Sequence, residues 1–251
     1  MPVRSVALVG VVGGAGTTRT AIELAGALAQ SGRSALVFDL DFATQGLAHH
    51  VEGRIDVDAV ALLADTEPGL AEAVREWEVP GPGRLGVVPA YAPFTEIATG
   101  KAREAAMRVE GRIDEAAADF DHVLLDVPPV VSNQAVAGVT AADRVVAVVP
   151  PTDRGTDALQ RERGRLADVG AVLDGAVAVG ASDGDEVPDA DWTLPALPAG
   201  APERRPATVH GGGAFTDAVA TLAEALFDVS LDIDNQDRGA STLDRLRGRL
   251  P

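Results

Sequence analysis

Cysteine is absent from this sequence, which excludes disulfides, thiolate metal centres and cysteine-held iron–sulfur clusters. Lysine is almost absent too: Lys101 stands alone, and every other basic residue is an arginine. Aromatic residues make up only 4% of the chain, so a core has to be assembled from alanine, valine and leucine. No apolar run reaches the ~18 residues that a spanning helix needs. The N-terminus lacks the charged-then-apolar profile of an export signal. The expected location is the cytoplasm.

What is present is 251 residues, 46% of them hydrophobic, carrying a formal net charge of −17. That length admits one large α/β domain or two small ones. Strong acidity with almost no lysine reads as adaptation to a salty cytoplasm, where an acidic surface stays hydrated; a merely acidic soluble protein is the alternative. The charge also weighs against nucleic-acid binding, because arginines cluster only at 161–165, 204–205 and 238–249.

The most informative stretch is Gly10-Val-Val-Gly-Gly-Ala-Gly-Thr-Thr-Arg-Thr20. It follows the apolar run Val6-Ala7-Leu8-Val9, a predicted buried strand, and precedes a predicted helix from Thr18 to Gln30 with Gly32 as its stop. Glycines between a first strand and a first helix let successive backbone N–H groups curl inward, and the helix start adds positive potential, so such turns bind phosphates. Gly13, Gly14, Ala15, Gly16, Thr17 and Thr18 are the candidate phosphate-loop residues. In the usual loop a lysine precedes the Ser/Thr that reaches magnesium. Here Thr18 fits the Ser/Thr slot and Thr17 fills the lysine slot. Dinucleotide binding is a weaker rival, because G-x-G-x-x-G fails at Arg19.

Further apolar runs predict strands at 35–38, 85–89, 122–126, 145–149 and 176–179, with a last edge strand hinted at by Leu194 and Leu197. Helices are predicted at 57–63, 70–77, 101–118, 157–169 and 215–227. Continuous apolar strands alternating with helices indicate a mostly parallel sheet covered on both faces, a three-layer α/β fold of the P-loop type. Residues 1–228 read as one domain. Residues 229–251 read as a polar tail, in which Leu243, Leu246 and Leu250 with Arg245, Arg247 and Arg249 form either a short amphipathic helix for a membrane or partner, or a frayed end; membrane contact is not favoured. His49 and His50 read as surface residues, His122 as a core or strand-edge residue, and His210 as a loop residue.

In the order and spacing of its motifs the chain resembles the ParA/MinD family of deviant Walker ATPases from about Val3 to Phe227. Val12-Gly-Gly-Ala-Gly-Thr-Thr18 lies where the family has Lys-Gly-Gly-x-Gly-Lys-Thr. Asp39-Leu-Asp41 follows the second strand as in the first switch. Leu85 to Ala90 resembles a strand ending in Pro-Ala. Phe120 to Pro129 resembles the Walker B strand and second switch, and Ala142 to Val146 the strand that follows. The resemblance implies ATP and Mg²⁺ at the C-terminal ends of the strands, often between two subunits. It implies Asp41 as the catalytic aspartate and Thr18, Asp39 and Asp126 as the magnesium-side residues. The departures are Val12 and Thr17 in place of both family lysines, and Gly180-Ala181 near the place of an adenine-contacting asparagine. Arg19 is turned roughly 200° from the lysine slot by helix geometry; Arg154 is the other arginine within consideration. The expected function is a nucleotide-binding or pseudo-ATPase adaptor in cellular positioning or partitioning, acting as a homodimer or through a protein partner. The alternatives are an active ATPase switch that uses a non-lysine cation, and a ligand-free interaction scaffold.

Overall fold

The computed structural model describes residues 3–65, 67–182, 187–209 and 213–231. In chain order the elements are β1 Ser5–Gly10, α1 Thr17–Gln30, β2 Ser34–Asp39, α2 Ala59–Ala64, α3 Leu70–Ala73, β3 Arg75–Trp77, β4 Arg84–Val88, α4 Phe94–Gly100, α5 Arg103–Ala106, α6 Val109–Asp119, β5 His122–Val127, α7 Asn133–Ala141, β6 Arg144–Val149, α8 Asp153–Asp168, β7 Gly175–Ala181, β8 Trp192–Pro195 and α9 Ala214–Phe227. The strands form one sheet in the order β3-β4-β2-β5-β1-β6-β7-β8. All neighbours are parallel except β3, which runs antiparallel at one edge.

The sheet is covered on both faces, as its continuous apolar strands require. Along β1, Val6 and Leu8 pack with α1 and α9, while Ala7 and Val9 face the opposite layer of α2, α6 and α7. Helix α8 covers Ala147 and Val149 on that second face. Small side chains permit this close layering. A Cβ on Gly26 of α1 would come within 2.5 Å of Pro206, so the segment after β8 lies directly on the helix.

Several predicted elements differ from the observed ones. Helix α3 ends at Ala73, because Val74 turns extended and Arg75–Trp77 pairs with β4 instead of continuing the helix. Trp77 is thereby 6% exposed and joins the core. The helix predicted over 101–118 is broken at Met107-Arg108 into α5 and α6. Met107 is solvent-exposed, and the Arg108 guanidinium bonds to the Leu63 and Glu104 carbonyls. Helices α4 and α7 were not anticipated. Leu194 lies in β8, the edge strand, whereas Leu197 lies beyond it and is exposed. His210 and the tail positions Leu243 to Arg249 lie outside the described residues.

Candidate functional site

The C-terminal ends of β1, β2 and β5 are adjacent in the sheet, and their loops bring the predicted residues together. The loop after β1 is held by Val11 N–H donating to Val148 O at 3.1 Å and by Ala15 N–H donating to Val12 O at 3.3 Å. Gly14 and Gly16 take φ of 77° and 90°, left-handed values that side chains resist. Gly10 is also fixed by sterics, since a Cβ there would sit 2.5 Å from Thr17 Oγ1. A Cβ on Gly13 or Gly14 would meet nothing within 4 Å. Open space therefore stands over the loop. Helix α1 starts at Thr17 with no side-chain cap and no acidic residue in its first turn. Its first N–H groups are thus free of competing carboxylates.

Thr18 lies at the base of this loop. Its hydroxyl donates to Asp126 Oδ2 at 2.5 Å, and a Cβ on Gly46 would come within 2.9 Å of that hydroxyl, so the loop after β2 closes over it. Asp126 on β5 is in direct register with Asp39 on β2. Both are buried, at 2% and 0% exposure. Asp39 accepts from Asp41 N–H at 2.8 Å and from Ala90 N–H at 3.4 Å. Burial, and then the Asp126 charge, holds the Asp39 carboxyl well above the usual carboxylate range. Burial also pushes Asp126 up to about 7, against the lowering effect of the Thr18 hydroxyl. Both strand-end carboxyls are thus held above the ordinary carboxylate range.

Asp41 is half-buried and turned into its own loop. It accepts from Ala43 and Thr44 N–H at 3.1 and 3.2 Å and from the Thr44 hydroxyl at 2.5 Å. The next loop is fastened as well. Gln45, at φ 52°, donates to Ala92 O, and Asp58 accepts from Tyr91 N–H at 2.6 Å.

No arginine or lysine side chain bonds to Asp39, Asp41 or Asp126 among the described residues. Arg19 points away, as its helical position requires. It pairs with Glu23 at 2.6 Å and donates to the carbonyls of Pro202, Glu203 and Arg205. Arg154 is exposed on the first turn of α8. Lys101 follows α4, and its carbonyl accepts from Asn133 at the start of α7.

The sequence reading missed two buried carboxylates that tie loops to helices. Glu23, 1% exposed, accepts from Arg19 and from Ala207 and Thr208 N–H, each at 2.9 Å, fastening the segment 202–208 to α1. Glu162, fully buried on α8, accepts from Val130 N–H at 2.7 Å and pairs with Arg165 at 2.9 Å, fastening the loop after Asp126. A glutamate inside the apolar run Ala21-Ile-Glu-Leu-Ala25 was the available signal for the first. For Glu162, no local pattern marks a partner 32 residues away.

The donor set fits a hydrated magnesium that also holds phosphate oxygens: one hydroxyl, two carboxylates and an open glycine loop. Among the described residues, no group of three or more His, Asp or Glu is placed to hold a metal by itself. His49 and His50 join no such group, and burial lowers the His50 pKa beside the Glu203 carbonyl.

Comparison with known proteins gives the same picture. A family model described as an AAA domain matches residues 3–164. The chromosome partitioning protein ParA of Caulobacter vibrioides is 32% identical over 151 residues, 57% of this chain and 55% of that protein. The chain thus spans about half the length of the curated relatives it matches. The septum site-determining protein MinD of Pyrococcus horikoshii, solved with Mg-ADP, superposes with a TM-score of 0.72 at 18% identity, covering 89% of this chain and 95% of that one. The MinC:MinD cell division complex of Aquifex aeolicus gives 0.70 at 17% identity, covering 92% and 98%. At these identities the structures establish the fold, a mostly parallel P-loop sheet flanked by helices.

Proposed function

This chain belongs to the AAA domain family, and we propose that within it the chain is a Mg-nucleotide-binding adaptor of the ParA/MinD kind, with hydrolysis slowed or lost. The observation that carries this reading is the Thr18–Asp126 bond beneath an open glycine loop, beside carboxylates to which no basic side chain among the described residues bonds. Gly13 to Thr18 would receive the phosphates through backbone N–H groups. Thr18, Asp39 and Asp126 would hold the magnesium, whose charge offsets the buried carboxylates. Asp41 would orient a water, once released from Thr44.

Phosphoryl transfer depends on positioning and charge neutralisation. Each well-placed donor of transition-state charge is worth ~10²–10³ in rate. Val12 and Thr17 stand where the family has two of them, and the geometry of Arg19 supports no replacement. The adaptor would act by presenting a nucleotide-dependent surface to a protein partner or a second copy of itself, in positioning or partitioning. Exposed Tyr91 and Val131, on segments following β4 and β5, and Phe94 at the start of α4 supply apolar area at that edge. The unit proposed is 1–228, with 229–251 appended, working in the cytoplasm. No helix among the described residues is long and apolar enough to cross a membrane.

Thermal unfolding in high KCl with Mg-ATP, Mg-ADP and Mg-GTP tests the reading. A ligand at a hundred times its dissociation constant adds ~2.7 kcal/mol, a rise of several degrees. The expected result is such a rise for a magnesium nucleotide, little for the nucleotide without magnesium, and turnover far below a lysine-containing relative. No shift at millimolar nucleotide refutes nucleotide binding and leaves the scaffold alternative. Fast turnover abolished by Asp41→Ala would establish the switch alternative instead.

A further inference from the structure

We propose that the groove at the opposite, N-terminal edge of the sheet is a second ligand site, which takes a small molecule bearing a carboxylate or phosphate group between Arg4, Arg33 and His122. The groove has a volume of about 390 Å³ and an apolar floor of Val3, Phe227 and Val229. It is separate from the phosphate loop. His122 and Asp126 stand near opposite ends of β5, four residues or about 13 Å apart at the usual rise of a strand.

His122 is the first reason. It is 6% exposed and packs against Phe227 with ring centroids 4.6 Å apart and the ring planes tilted by 53°. Its Nδ1 is buried without a hydrogen-bond partner among the described residues. An unmet buried polar atom costs about 1–3 kcal/mol, and fold stability offers no compensation for it here. In the Nδ1–H tautomer the ring has a donor to offer a ligand oxygen, and His122 lines the groove.

The two arginines are the second reason. Each is anchored by part of its fork and keeps other N–H donors. Arg4 bonds to the Ala117 carbonyl. Arg33 donates to Ser31 Oγ at 3.1 Å and to Ser230 O at 2.9 Å. The groove also holds two carboxylates, each engaged through one oxygen. Asp121 accepts from the Ser34 backbone and hydroxyl at 2.8 and 2.7 Å, and Asp228 is paired with Arg144 at 2.8 Å. The donors on offer are guanidinium forks, which are matched to oxyanions. Burial lowers the His122 pKa most, the Asp121 charge opposes this, and Arg33 and Arg4 lower it further, so charges on the groove wall reach the ring.

The test is imidazole NMR of histidine-labelled full-length protein, with the His122 signal assigned by loss in His122→Asn. Inorganic phosphate and acetate are titrated separately, and chloride is the control at matched ionic strength. The expected result is a saturable His122 shift with phosphate, acetate or both, at least fivefold weaker in Arg33→Gln and in Arg4→Gln. Response to one probe alone identifies the group the ligand carries. Arg4 is exposed, so its variant keeps the test open where Arg33→Gln fails to fold. An equal shift with chloride, no saturation, or midpoints unchanged in both variants overturns the proposal. Mg-nucleotide binding at the other edge is measured in the same samples and is expected to be unchanged.

Discussion

Replacing Asp126 with asparagine should make this protein more stable, and only on the alkaline side. Burial holds the Asp126 carboxyl at about 7 against an ordinary value of 3.8. Between those values the folded protein keeps a proton that the unfolded chain has released. Stability therefore falls as pH rises through this window, and the loss is complete above pH 7. At about 1.4 kcal/mol per tenfold change in proton affinity, the full loss is of order 4 kcal/mol. Asparagine removes the charge and keeps an oxygen for the Thr18 hydroxyl, now 2.5 Å from Oδ2. It also relieves Asp39, whose pKa is raised in part by Asp126. We expect Asp126→Asn to add about 2–4 kcal/mol at pH 8.5 and little at pH 4, which for a domain this size is about 5–12 °C in Tm at the higher pH. The assay is urea unfolding at both pH values in magnesium-free buffer. A variant that is destabilised at pH 8.5, or that gains equally at both, refutes a raised Asp126 pKa. The gain in stability should come with loss of Mg-nucleotide binding, the trade-off expected where a strained site serves a ligand.

Two other substitutions follow from buried groups. Glu23→Ala leaves Arg19 and the Ala207 and Thr208 N–H groups without their acceptor; about 3–5 kcal/mol should be lost in chemical unfolding, with Glu23→Gln costing about half. A similar cost in both would show that packing, not charge, holds this segment. His122 is held neutral by burial, with a pKa of about 4 against 6.5. The unfolded chain takes up its proton first as pH falls, so this group's contribution is whole above 6.5 and lost towards 4. His122→Asn should flatten that acid limb by about 1–2 kcal/mol in urea unfolding at pH 4.5 against pH 7, and an unchanged slope would place the titration elsewhere.

The fold was legible because it rests on runs of apolar residues that are buried on both faces. Val6 to Val9, Leu36 to Phe38 and Val123 to Leu125 are strands in any context that can cover them. The short elements were not legible. Arg75–Trp77 has no alternation of its own and becomes a strand only because Leu85 lies opposite Trp77. At the site, the glycines and Thr18 were marked by spacing, and Asp39 and Asp126 by ending apolar strands. That these two are register partners depends on β2 lying beside β5, which no local pattern states. Glu162 and the lone Nδ1 of His122 belong to the same class, since each is defined by a residue distant in sequence.

The missing lysine and the raised carboxylate pKa values are one electrostatic fact, and restoring the lysine tests it. Thr17 packs against Gly10 at the base of the loop and precedes Thr18, whose hydroxyl bonds to Asp126. An ammonium placed about 5 Å from the carboxylates at an effective dielectric of 20 stabilises each charge by roughly 3 kcal/mol, enough to return Asp126 towards the ordinary carboxylate range. In a Thr17→Lys background the alkaline gain from Asp126→Asn should therefore shrink by more than half, and a double-mutant cycle measures that coupling directly. The same variant should bind Mg-ATP at least tenfold more tightly, since the carboxylates no longer depend on magnesium alone for neutralisation. Coupling near zero would mean that the lysine cannot reach the carboxylates from this backbone. The loop would then have diverged in geometry as well as in charge, and a nucleotide bound there would lie differently from one in a lysine-containing loop.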